Sequence, residues 1–200
     1  AGCRLAGIDR ALNYRRYYPG KICRDPGGAC AAMVRALEAA FSHASCPESV
    51  LSLREKALAN IYAAWSYDAL VGHDAVLGQD LLRKAVRLDP TLLQGGEIRL
   101  LYFLLHRSTP DGGDHEAPLR RVFASLPEEM RWLWSRQDWA VGRGYLTRGA
   151  RAALWGRDGV AAFCLERSAE LGTRLDPPFL RFVLDQLLSY EAEMGAPAAE

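Results

Sequence analysis

Two hundred residues, half of them hydrophobic, are enough to bury a substantial core, so the composition describes a folded globular chain of one or two units. With 25 basic and 24 acidic residues the net charge is +1, which gives no reason to expect nucleic acid or an anionic membrane as partner. Five cysteines, Cys3, Cys23, Cys30, Cys46 and Cys164, form no Cys-x-x-Cys pair, so neither a zinc knuckle nor a disulfide framework is signalled and a reducing, cytoplasmic setting fits.

The longest apolar runs are far shorter than a membrane span, and the N-terminus has no charged region followed by an apolar core. A transmembrane segment and a signal peptide are therefore not expected. The chain opens Ala1-Gly2 without a methionine, which permits a fragment or an excised domain.

In chain order, residues 1 to 26 stand apart: Leu5-Ala6-Gly7-Ile8-Asp9 and Ala11 to Tyr18 are short β-permissive runs, closed by Pro19-Gly20 and Asp25-Pro26-Gly27-Gly28. The rest is helical in pattern. Helices are predicted at about 29 to 43, 47 to 71, 75 to 88, 96 to 106, 116 to 125, 128 to 155, 159 to 172 and 178 to 193. Pro47-Glu48 and Pro127-Glu128-Glu129 are first-turn chemistry, since proline loses no useful donor there and acids favour the positive helix end. Ser108 to Asp114 reads as a turn-rich linker, and Gly195 to Glu200 as a frayed tail.

The stretch from Leu53 to Pro90 reads as a helical hairpin. Gly72 breaks its first arm, Asp74 can cap the second, and Leu77, Leu81, Ala85 and Leu88 fall on one face. Leu88-Asp89-Pro90 ends the second arm, because proline disfavours helical geometry in the residue before it. A second copy lies downstream: Ala69, Leu70, Gly72, Asp74, Leu81, Arg83 and Ala85 recur as Ala153, Leu154, Gly156, Asp158, Leu165, Arg167 and Ala169 at an offset of 84. Leu175-Asp176-Pro177 and Leu187-Leu188 repeat Leu88-Asp89-Pro90 and Leu100-Leu101 at an offset of 87. Leu37 and Phe41 recur as Leu119 and Phe123 at 82. Duplication then predicts that the two Leu-Asp-Pro stops hold equivalent places and that Leu81, Ala85, Leu165 and Ala169 are buried at matching interfaces.

His43, His73, His106 and His115 stand at no ligand spacing and read as surface or loop residues. Trp132, Trp134, Trp139 and Trp155 with Tyr145 allow a sugar-stacking strip, but their spacing fits a long helix packed on its neighbours better. Arg131, Arg136, Arg143, Arg148, Arg151 and Arg157 make that helix basic, as a solvated face or as a surface for an acidic partner.

These residues carry two resemblances. The hairpin ending Ala85-Val86-Arg87-Leu88-Asp89-Pro90 resembles a degenerate tetratricopeptide unit, with Tyr62, Trp65 and Tyr67 loosely meeting its small and aromatic positions. Ile8-Asp9-Arg10-Ala11-Leu12, followed by Tyr14-Arg15-Arg16-Tyr17-Tyr18-Pro19-Gly20-Lys21-Ile22, resembles the closing segment of the catalytic domain of bacterial family 2 glycosyltransferases. Many members of that family append an Ala/Leu/Arg-rich helical tail with a Leu-Asp-Pro stop, and both parts occur here in that order.

The second resemblance implies a GT-A catalytic domain upstream that uses a nucleotide sugar and a divalent metal held by an Asp-x-Asp motif, with an acidic general base. That machinery is not in this chain: Asp111-Gly112-Gly113-Asp114 has the wrong spacing, and Arg131-Trp132 lacks the glutamine that precedes it in processive members. Arg15 and Arg16 match the family's basic positions and, by resemblance, face a diphosphate, while Tyr18 stands where the family has a histidine near the metal. The residues alone fit two solvated arginines on an edge strand equally well.

The expected fold is mainly α: two tandem tetratricopeptide-like helical-hairpin units, 27–107 and 115–194, behind a short β or irregular N-terminal segment, 1–26. That segment is expected to pack on the first unit, where Met33, Leu37 and Phe41 offer an apolar stripe. The expected function is the C-terminal helical region of a family 2 glycosyltransferase, itself without catalysis or cofactor, covering the upstream domain or holding an acceptor or a protein partner. The alternative is a stand-alone tetratricopeptide-like scaffold for a peptide. An independent helical enzyme has no catalytic constellation behind it.

Overall fold

The computed structural model describes residues 25–94, 98–108, 114–177, 179–181 and 184, and the chain is mainly helical. Its helices are α1 (Pro26–Phe41), α2 (Glu48–Leu51), α3 (Arg54–Val71), α4 (Ala75–Leu88), α5 (Arg99–Ser108), α6 (Glu116–Ala124), α7 (Gln137–Leu154) and α8 (Asp158–Glu170). Two 3-10 stretches, Pro90–Leu93 and Glu128–Arg136, join them. Residues 1–24, which carry the predicted β-permissive segment, lie outside the described residues.

α1 begins earlier than the sequence pattern suggests, at Pro26. Asp25 caps it by accepting from the Gly28 amide at 2.8 Å, and Pro26 occupies the first turn, where its missing N–H costs nothing. The predicted helix from 47 to 71 is two helices. Ser52 and Leu53 interrupt it, and the Ser52 hydroxyl bonds back to the Ser49 carbonyl at 2.9 Å, the local competition that serine offers a helix.

Two long hairpins dominate, α3–α4 and α7–α8, and they are built alike. Their first arms are both 18 residues, at an offset of 83, and their second arms are 14 and 13 residues. Each turn is a Schellman motif. In the first, the Asp74 amide reaches the Ala69 carbonyl at 2.9 Å and the His73 amide reaches Leu70; in the second, Arg157 reaches Ala152 at 2.8 Å and Gly156 reaches Ala153. The left-handed residue is His73 in one (φ 70°) and Gly156 in the other (φ 65°), again 83 apart. Gly72 is thus an ordinary cap with φ −74°, and the 84-residue sequence matches lie one place out of structural register.

That shift corrects the burial expectation. Leu81 and Ala85 are buried, as the spacing predicts, but Leu165 and Ala169 are exposed, because α8 turns Ala161, Cys164 and Ser168 inward instead. Those three are the positions 83 beyond Gly78, Leu81 and Ala85, which α4 buries. The Leu-Asp-Pro stops are not equivalent either. α4 runs to Leu88 itself, whereas α8 closes at Glu170 with its own Schellman turn on Gly172, leaving Leu171 to Arg174 before the second motif.

The predicted helix from 128 to 155 divides at Arg136. In its first part the buried residues Pro127, Met130 and Leu133 recur every three, the period of a 3-10 helix and not of an α-helix. Trp132 and Trp134 consequently point outward, each 51% exposed, and Trp155 at the α7–α8 turn is also exposed, against the packed arrangement expected for them. Trp139 and Tyr145, on α7, do pack inward. One hydrophobic cluster, with α3, α5, α6 and α7 around it, runs from Ala59 through Leu100, Leu104, Leu119 and Phe123 to Cys164.

The tip residues yield a test free of packing effects, because nothing lies within 4 Å of where a Gly156 side chain would stand. Gly156→Ala should therefore destabilise by the backbone term alone, about 1–2 kcal/mol, and His73→Gly should be neutral or stabilising. Urea unfolding should show a lowered midpoint for Gly156→Ala and an unchanged or raised one for His73→Gly.

Candidate functional site

The densest set of chemistry-bearing side chains in the described residues surrounds Glu116, at the start of α6. Its carboxylate accepts from the Tyr145 hydroxyl of α7 (2.8 Å), from Arg120 Nε one turn along α6 (2.9 Å) and from Arg167 Nη2 of α8 (3.4 Å). Arg120 also reaches Asp138 Oδ1 at 3.1 Å, and Arg167 reaches Glu170 Oε2 at 2.7 Å. Burial alone would raise the Glu116 carboxyl, but Tyr145, Arg120 and Arg167 outweigh it and hold it below the usual carboxylate range. The Tyr145 hydroxyl is pushed up by burial and by the neighbouring anion. An ionised carboxylate with its oxygens engaged fastens three helices together and is poorly set to give or take a proton.

His115 lies beside this cluster and is 1% exposed, so the surface reading of that histidine is wrong. It is buried because α7 passes Gly144 beneath it: a Cβ there would stand 2.4 Å from His115 Cδ2. The ring meets Tyr145 edge to face, with centroids 4.3 Å apart. Its Nε2 is 3.0 Å from the Val141 carbonyl, which can only accept, so Nε2 carries the proton and Nδ1 is left as a buried acceptor without a partner. Burial lowers the His115 pKa, the Val141 carbonyl opposes the shift, Arg148 adds to it, and Asp114 and Glu116 oppose it.

A second polar centre forms at each Leu-Asp-Pro. Asp89 accepts from the Thr91 amide (3.1 Å) and from Arg99 Nη1 (3.0 Å), and Asp176 accepts from the Phe179 amide (2.8 Å) and from both terminal nitrogens of Arg143 (2.8 and 3.1 Å). The aspartate therefore caps the turn after it and is itself held by an arginine, a role beyond the helix stop read from the proline. Arg143 is 2% exposed and lies 4.5 Å from the Phe179 ring, so it does not belong to a solvated basic face.

Arg15, Arg16 and Tyr18, the residues expected on a diphosphate, lie outside the described residues. Cys30 and Cys164 are buried free thiols whose pKa values burial raises, which makes them poor nucleophiles. Among the described residues no three His, Cys, Asp or Glu side chains group so as to hold a metal ion, and no helix is long and apolar enough to cross a membrane. Glu116 and Arg120 had a sequence signal in their four-residue spacing; the approach of Tyr145 and Arg167 had none. No known protein family, characterised protein or solved structure matches the chain.

A histidine held below its unfolded pKa of about 6.5 adds stability that is complete above that pH and is lost as pH falls from there toward the lower folded value. The depressed carboxyls of Glu116, Asp89 and Asp176 act only further down, below about pH 4.5. Urea midpoints should thus fall between pH 7 and 5, and His115→Gln should flatten that slope. At the other centre, Asp176→Ala leaves the Arg143 guanidinium buried without its partner and should cost about 1–3 kcal/mol in the same unfolding measurement, more than the same change at exposed Asp158.

Proposed function

We propose that this chain is a non-catalytic helical module of tetratricopeptide-like hairpins, the C-terminal region of a family 2 glycosyltransferase, which covers the catalytic domain or holds an acceptor or a protein partner. The observation that supports a repeat module is the recurrence of one hairpin at an offset of 83, with first arms of equal length and the same turn hydrogen bonds. What supports the link to a transferase is the sequence from Ile8 to Ile22. In this reading the sugar transfer, the nucleotide sugar and the divalent metal belong to the upstream domain. Arg15 and Arg16 would serve its diphosphate side, near Tyr18. The setting we propose is cytoplasmic.

A stand-alone scaffold for a peptide is the second reading, and the exposed pair Trp132 and Trp134, flanked by exposed Arg131 and Arg136, favours it. Coding sequence ahead of Ala1 separates the two: a continuing frame with an Asp-x-Asp and an acidic base supports the transferase, and a nearby start codon supports the scaffold.

Purified residues 1–200 are expected neither to hydrolyse nor to transfer sugar from any nucleotide sugar. Turnover that survives repurification would overturn the non-catalytic reading.

A further inference from the structure

The imidazole of His115 is held by shape and by one hydrogen bond. It lies in a slot over Gly144 of α7, where a Cβ would stand 2.4 Å from its Cδ2, and Leu105 of α5 borders the same slot, 3.2 Å from that Cβ position. Nε2–H donates to the Val141 carbonyl, but Nδ1 has no partner and the ring is buried. A proton taken from solvent at Nδ1 would become a charged N–H with no acceptor in the slot, a far costlier state than the unpaired neutral nitrogen.

The groups around the ring set the direction in which its charge would be pulled. α5 offers the apolar Leu105. α7 offers the Tyr145 ring, edge to face, and Arg148, which repels a charged imidazole. α8 contributes Arg167, which is on the Glu116 carboxylate. Asp114 and Glu116, at the start of α6, are the charges that attract an imidazolium. The Glu116 oxygens are engaged by Tyr145, Arg120 and Arg167, whereas Asp114 is exposed, its Oδ1 accepting from the Glu116 amide at 2.9 Å. Further along α6, Leu119, Val122 and Phe123 are fully buried in the hydrophobic cluster, so the helix stays anchored when its first residue moves.

We propose that His115 is a pH-operated latch where α6 lies on α7. The neutral imidazole sits in the Gly144 slot; the imidazolium leaves it toward the exposed Asp114 carboxylate, and the start of α6 comes away from α7 while the rest of the fold keeps its packing. The latch is a local change of state, separate from unfolding.

NMR of the isotope-labelled 200-residue chain between about pH 7.5 and about pH 5 tests this, a window in which the depressed carboxyl of Glu116 stays ionised. The His115 ring, assigned by the loss of its signal in His115→Gln, should titrate below about 6.5. The amides of Glu116, Gly144 and Tyr145 should shift with the same midpoint, while those of Ala59, Ala63 and Leu82, in the first hairpin, hold still. His115→Gln should abolish that shift. Gly144→Ala puts a methyl group where the ring sits and should show the acid pattern already at about pH 7.5. Amides of the α6–α7 contact that do not follow the ring, a transition shared by every amide, or a Gly144→Ala chain that keeps the neutral pattern would each overturn the proposal.

Discussion

A single left-handed residue at the tip of each long hairpin is the constraint on which the rest of the architecture depends. It lets the last amides turn back onto carbonyls in the final turn of the first arm, so the chain reverses within three residues. Reversal this tight brings the arms close, and small residues occupy the crossings. Gly78 sits against Leu70, where a Cβ would come within 2.5 Å of the leucine, and Gly149 sits against Cys164. The packed arms then present one apolar face to the next elements of the chain.

The two hairpins hand the chain on differently, and polar pairing records the difference. After α4 the chain caps a new turn with Asp89, enters α5 and returns across α3, where Arg107 pairs with Asp68 and lies over the Trp65 ring. After α8 it passes five further residues before Asp176 caps its turn, and the anchoring arginine comes from α7 itself. Each Leu-Asp-Pro thus ties its corner to a different element, although the local capping chemistry is the same. A shared motif is read by the nearest turn; its tertiary partner is set by the spacing around it.

Much of the helical layout was legible from periodicity. Helix α4 begins and ends where the Asp74 cap and the Leu88-Asp89-Pro90 stop place it, and the recurrence of a hairpin is visible in the residues around Gly72 and Gly156. Its register was not, because the matching glycines play different parts: Gly156 supplies the left-handed residue, a position that His73 fills in the first copy against the usual preference. The 3-10 stretch was illegible for a related reason. Pro127, Met130 and Leu133 keep a period of three, but embedded before an 18-residue α-helix the pattern reads as its extension, and the exposure of both tryptophans results from that one change of period. At the polar centre only the Glu116–Arg120 pair had a local signature; the other partners arrive from helices 29 and 51 residues away in sequence.

The burial of His115 shows how such a centre arises without any catalytic demand. α7 is glycine-rich where it passes α6, and the space opened by Gly144 is filled by an imidazole, whose Nε2–H supplies a bond to the carbonyl of Val141. An apolar side chain of similar volume would fill the space but could not donate to that carbonyl, and a longer polar one would meet Tyr145. Charge on the imidazole is disfavoured there, while the carboxylate one residue on is kept ionised by a hydroxyl and two guanidinium groups. Neutral ring and anion therefore stay apart in function despite being neighbours in sequence: the ring fills a groove, and the anion binds the three helices that form it.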